Sequence, residues 1–232
     1  MFLGTFRQWW WKRGYQKFYR GEIYRENPYA PNAGTREKFD SLVKELISIL
    51  EPMDEDVVLD LGGGDGRLSG ELFKGCRRVV VLDFCKAAMD SVVRLPCQFS
   101  FVIADIRRLP FKVGSFSKVF TYGTLPHLGS ERQIRRMLET WDSLLSEGGV
   151  LYIGDIPDRK AIPSIVARAF PRIISISGLK YCFAISMNNY FSKRRLTRFL
   201  CEFGYEVKIV DQSSERRFHE ERFDALATKS AS

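Results

Sequence analysis

The chain has 232 residues, 45% of them apolar and 28% charged, and a net charge of +8. That length holds one substantial core and that composition is ordinary for a globular domain, which excludes a disordered chain. Five scattered cysteines with no C-x-x-C pair argue against a zinc site or a disulfide framework, and they suit reduced thiols in the cytoplasm.

In chain order, residues 1–34 read as a basic, aromatic arm followed by a loop. Through Arg36, the residues Arg7, Lys12, Arg13, Lys17, Arg20, Arg25 and Arg36 stand against Glu22 and Glu26, with Trp9, Trp10 and Trp11 among them. Such a mixture suits a helix capping the domain, or contact with nucleic acid, an anionic membrane surface or an acidic substrate. The opening stretch lacks the apolar length and small-residue cleavage site of a signal peptide. Tyr24 to Gly34 is a Pro-, Asn- and Gly-rich loop. Thr35 then caps a helix to about Leu50, with Phe39, Leu42, Val43, Leu46, Ile47 and Leu50 on one face.

A β-prone run, Val57 to Leu61, ends in Gly62, Gly63, Gly64, Asp65 and Gly66 and passes into a helix from Arg67 to about Lys74. Further strands are expected at Arg78 to Leu82, Phe99 to Ala104, Ser117 to Tyr122 and Val150 to Gly154. Helices are expected at Lys86 to about Arg94 and Glu131 to Leu145. This alternation predicts βαβ units and a mostly parallel sheet covered on both faces. Residues 158–190 form an insertion, helical around Ile162 to Phe170, that reads as a lid over an apolar or acidic substrate in preference to a segment resting on a membrane. After it come a helix capped by Ser192 and two strands, Tyr205 to Val210 and Arg222 to Thr228. The dozen residues between those strands leave no room for a crossover helix, so they pair antiparallel.

The glycine turn at a strand's carboxyl end invites a nucleotide-like ligand close to the backbone. A dinucleotide needs G-x-G-x-x-G and a pyrophosphate-friendly turn, yet position 67 is Arg, and Asp60 and Asp65 would oppose the pyrophosphate charge. S-adenosylmethionine has no phosphate and carries a sulfonium and an ammonium, which an acidic strand end favours. Asp83, about twenty residues beyond the turn, is placed for a ribose diol, and Asp105 for an adenine amino group. Arg36, at the first turn of its helix, is a candidate partner for the cofactor carboxylate.

The runs VLDLGGGDGRLS, VVVLDFCKAAMD, FVIADIRRLPF, GSFSKVFTYGTLPHL and LLSEGGVLYIGD resemble, in order and spacing, the class I S-adenosylmethionine-dependent methyltransferases, especially their small-molecule branch. The resemblance spans Thr35 to Thr228 and implies a Rossmann-like, doubly wound sheet of seven strands with the last antiparallel, in a methyltransferase domain over 35–232. It implies that Asp60, Gly62, Gly63 and Gly64 shape the amino acid end of the cofactor site. Asp83 and Phe84 would lie at the ribose, Asp105 and Ile106 at the adenine, and Tyr122 and Gly123 at the methionine moiety. His127 falls where family members often carry a histidine near the reacting groups, as general base or pocket wall. Tyr24, Tyr29 and Asp155 are candidates for the acceptor. The expected activity is methyl transfer to a small molecule. The alternatives are an RNA methyltransferase acting on ribose or an end group, and a non-catalytic S-adenosylmethionine-binding protein. Base-directed chemistry is disfavoured because Thr121-Tyr122-Gly123-Thr124 replaces the Asn/Asp-Pro-Pro-Tyr motif. No metal is expected.

Overall fold

The computed structural model describes residues 13–20, 34–91, 95–129, 131–169, 188–216 and 218–230. Seven strands, β1 (Val57–Leu61), β2 (Arg78–Asp83), β3 (Phe99–Ile103), β4 (Phe116–Tyr122), β5 (Leu145–Pro157), β6 (Tyr205–Asp211) and β7 (Arg222–Lys229), form one sheet in the order β3-β2-β1-β4-β5-β7-β6. β7 runs antiparallel to both of its neighbours, and every other pairing is parallel. The helices are α1 (13–19), α2 (Arg36–Leu50), α3 (Arg67–Leu72), α4 (Lys86–Asp90), α5 (Glu131–Leu144), α6 (Ile162–Ala169) and α7 (Lys193–Glu202).

Central strands bury both faces, as side chains alternate along a strand. Leu59 and Leu61 of β1 face a core built with Ile134, Leu138 and Trp141 of α5 and Leu196 and Leu200 of α7. Val58 faces the opposite core, closed by Phe39, Leu42 and Leu46 of α2 and Leu68 and Leu72 of α3. α2 starts where Thr35 accepts from the Lys38 backbone N–H at 3.3 Å, a cap worth about 1 kcal/mol. At the amino edge, Lys118 and Asp56 form a buried ion pair at 2.9 Å, and Asp56 also accepts from Ser117 and from the Met53 backbone.

The order reverses between β1 and β4, since β1 leads outward to β2 and β4 leads the other way. That is the topological switch point of the sheet. Ligands of open α/β sheets bind outside the carboxyl ends of the strands at this place.

Two elements depart from their expected lengths. β5 begins at Leu145, straight out of α5, and continues to Pro157. Its early residues are held by the Phe116↔Leu145 pairing, and its late ones by β7. α4 ends at Asp90, short of Arg94. Of the expected lid, residues 158–169, which include α6, and 188–190 are described, while 170–187 lie outside the described residues. The returning chain is fastened beside the end of β4, where Asn189 donates its backbone N–H to Pro126 at 2.9 Å and its side-chain amide to Gly129 at 2.8 Å.

Candidate active site

The site is built from the turn after β1. Gly62, Gly64 and Gly66 all have left-handed backbones, with φ of 80°, 60° and 74°, which only glycine adopts freely. Gly62 and Gly63 donate to the Leu82 carbonyl at 2.7 and 3.2 Å. Gly64 donates to Asp83 Oδ2 at 3.0 Å, while Asp83 Oδ1 accepts from the Cys85 backbone at 2.8 Å. Asp83 thus ties the turn to β2 from the carboxyl edge. Burial raises its carboxyl pKa above the ordinary range although those N–H groups pull it down.

Asp60 is placed differently from Asp83. It points from β1 toward α3, accepts a short hydrogen bond from the Ser69 hydroxyl, and backs the turn so closely that a Cβ on Gly63 would lie 2.1 Å from its Oδ2. Burial pushes this carboxyl up to about 7. The unfolded chain titrates near ~3.9, so the folded state binds the proton more tightly. Its contribution to stability is complete below about pH 4 and is lost as the pH rises through about 7. Denaturant titrations are expected to show the wild type losing stability against Asp60→Asn over that window, by up to roughly 1.4 kcal/mol per pH unit. Parallel profiles for the two proteins would contradict this assignment.

Beyond β2, Phe84 stands 37% exposed on the edge, an aromatic face open to a planar ligand. Asp105 lies two residues past β3 and accepts from Arg107 Nε at 2.8 Å, which holds its carboxyl below the ordinary range. With Arg107 and Arg108 it lines a hollow of about 460 Å³, while Ile106 is buried behind it. β4 ends at Tyr122, whose ring packs over Gly154, and Gly123 follows with φ of 67°. Thr124 crosses Gly62 so tightly that a Cβ there would lie 2.4 Å from its hydroxyl.

Sequence reasoning missed two residues of the arm that reach this edge. α1 lies across it. Tyr19 sets its hydroxyl against Gly64, 2.0 Å from where a Cβ would be, with Asp65 and Asp83 close enough to raise its pKa further beyond the effect of burial. Tyr15, one helical turn earlier, stacks edge-on to His127 with ring centroids 5.7 Å apart, and it feels Asp83, Arg222 and Asp155. The i, i+4 spacing of the two tyrosines puts both on one helix face, and that was the available signal.

The remaining candidates divide. His127 sits on the edge beside Tyr15, and Asp155 at the end of β5 is ion-paired to Arg222 of β7. Arg36 is on the exposed first turn of α2, where its Nε bonds Asp40 at 2.8 and 3.0 Å. Tyr24 and Tyr29 lie outside the described residues.

A family model described as a methyltransferase domain matches residues 58–149, the stretch from β1 through the glycine turn, Asp83, Asp105 and His127. Residues 58–149 therefore carry a methyltransferase domain. Phosphoethanolamine N-methyltransferase 1 of Arabidopsis thaliana is 27% identical to this domain over 117 residues, 47% of this chain and 23% of that protein. An uncharacterized methyltransferase of Schizosaccharomyces pombe is 25% identical over 186 residues, 75% of this chain and 68% of that one. Among solved structures, magnesium protoporphyrin IX methyltransferase from Synechocystis PCC 6803 with bound SAH matches the methyltransferase fold with a TM-score of 0.59 and 17% identity, over 84% of this chain and 82% of that one. The match thus spans less than a quarter of the plant relative's length. The donor set of the methyltransferase domain fits S-adenosylmethionine: a carboxylate at the β2 end, a glycine turn beside it, and the partly exposed Phe84 next to them.

Proposed function

We propose that the chain transfers the methyl group of S-adenosylmethionine to a small-molecule acceptor. The observation that carries this reading is the roof over the methyl-transfer end of the edge. Tyr15 of α1 closes against His127, and the chain returning from the insertion is fastened to the loop that bears His127. Such a roof favours a small acceptor over a polymer lying in an open groove. Two relatives support it by name, one acting on phosphoethanolamine and one on magnesium protoporphyrin IX.

In this reading Asp83 takes the ribose hydroxyls with Phe84 alongside, and Asp105 and Ile106 meet the adenine. Gly62, Gly63 and Gly64, backed by Asp60, receive the amino acid end with Tyr122, Gly123 and Arg36 around it. The cofactor supplies an electrophilic methyl on a sulfonium. What the chain supplies is chiefly alignment, which alone lowers such barriers by about 7 to 11 kcal/mol. Tyr15 and Tyr19 exclude water from the edge, and His127 forms a wall of the acceptor end. Free thiols at Cys76, Cys85, Cys97 and Cys201 support a cytoplasmic location. No helix among the described residues is long and apolar enough to cross a membrane.

A second reading, RNA as acceptor, draws on α5 and α7, where Arg132, Arg136, Arg194 and Arg198 are exposed. Incubating the protein with methyl-labelled S-adenosylmethionine and a cell extract separated into small molecules and RNA tests the choice. Label is expected in the small-molecule fraction. Label in RNA, with activity falling steeply as salt rises, would overturn the small-molecule reading.

A further inference from the structure

Between the pairs Ile153↔Ala225 and Ile156↔Phe223, β5 carries one residue more than β7. The extra residue makes a β-bulge at Gly154 and Asp155, where Asp155 takes a left-handed backbone with φ of 60°. Bulges re-aim side chains and are enriched beside active sites. A non-glycine residue persists in that region only where its surroundings over-determine it, and here they do. The Asp155 N–H donates to the buried carboxylate of Asp224 at 2.9 Å. Arg222 pairs with the Asp155 carboxylate and also donates to its backbone carbonyl at 3.2 Å.

The bulge turns the Asp155 carboxylate toward the end of β4, where its Oδ2 lies 3.5 Å from the position of a Cβ on Gly123. Tyr15 and Tyr122 lie close enough for its charge to raise their pKa values, with His127 edge-on to Tyr15. Asp224, Gln212 and Arg216 complete its surroundings. This is the acceptor side of the proposed methyl-transfer point.

We infer that Asp155 anchors the acceptor and that the acceptor is an amine, bound as its ammonium; the inference rests on the methyltransferase reading. A carboxylate has about four lone-pair sites, so one already held by Arg222 keeps capacity for an ammonium. Arg222 is a positioning residue, a counter-ion that keeps the anion charged and fixed. Burial raises the Asp155 carboxyl while Arg222 draws it back, which makes it a better proton acceptor than a solvated carboxylate. The ammonium gives one proton to Asp155, and the freed nitrogen lone pair forms a bond to the methyl carbon. The carbon–sulfur bond breaks with its electron pair left on sulfur as a thioether, and the proton passes from Asp155 to solvent.

The test needs no knowledge of the natural acceptor. Two analogues of S-adenosylhomocysteine, with the sulfur replaced by a nitrogen bearing a 2-aminoethyl or a 2-hydroxyethyl arm, are titrated calorimetrically against the full chain. The aminoethyl analogue is expected to bind about tenfold or more tightly than the hydroxyethyl one, and that preference is expected to vanish in Asp155→Asn, since asparagine tolerates the left-handed backbone. Equal affinity of the two analogues for the wild type, or a preference that survives the substitution, overturns the inference. Failure of S-adenosylhomocysteine itself to bind would contradict the methyltransferase reading, and the inference with it, because that compound carries no arm.

Discussion

Replacing Asp224 by alanine is expected to destabilise the fold by about 3–5 kcal/mol, the order found when one partner of a buried ion pair is removed. Asp224 is fully buried on β7. It accepts from the Tyr152 hydroxyl, the Asp155 backbone, Gln212 and Arg216. Arg216 is itself only 4% exposed in its side chain and reaches on to Glu45 of α2 at 2.8 Å. The carboxylate therefore joins β5, β7, the loop between β6 and β7, and α2. Without it the buried guanidinium is left with Glu45 alone, and the buried Tyr152 phenol loses its acceptor. Asp224→Asn is expected to fall between, because it keeps an acceptor oxygen and loses the charge. Urea denaturation followed by circular dichroism reads both variants. A loss under about 1 kcal/mol for the alanine variant would mean that water reaches the network and replaces the carboxylate.

The second large effect falls on ligand binding. Asp83→Ala is expected to weaken S-adenosylhomocysteine by at least about 1.5 kcal/mol, roughly tenfold or more, for the loss of hydrogen bonds to an ionised group. The substitution also releases the Gly64 and Cys85 backbone N–H groups that the carboxylate now binds, so the glycine turn loses its tie to β2. Calorimetry on the folded variant separates this from unfolding. Unchanged affinity would show that the ribose is held elsewhere.

The parts of the site legible in the sequence are those with a short-range signal. A β-prone run, a glycine turn and an aspartate one strand later specify the β1 turn and Asp83 by local geometry alone, and the fold delivers them together. The antiparallel β6 and β7 were equally readable, because the loop between them is too short for a crossover. What was hidden depends on tertiary placement. Tyr15 and Tyr19 belong to an arm that reads as basic and aromatic, and only the path of α1 across the sheet edge brings them to Gly64 and His127. Asp60 carries its charge in the expected place along the chain, but strand alternation turns it beneath the turn toward Ser69. β5 outgrew its expected bounds because Gly148 and Gly149 mask its start, and its end rests on a bulge that only the pairing with β7 reveals. Arg222 gave no sign of its role, since nothing local marks a strand-end arginine as the partner of an aspartate 67 residues away.

The central claim is that the turn after β1 holds S-adenosylmethionine. Isothermal titration of the chain with S-adenosylmethionine, S-adenosylhomocysteine and NAD tests it most directly. Saturable binding of the first two is expected in the micromolar range, about −8 kcal/mol, with no heat of binding for NAD. Tight binding of NAD with no response to either adenosyl compound would contradict it.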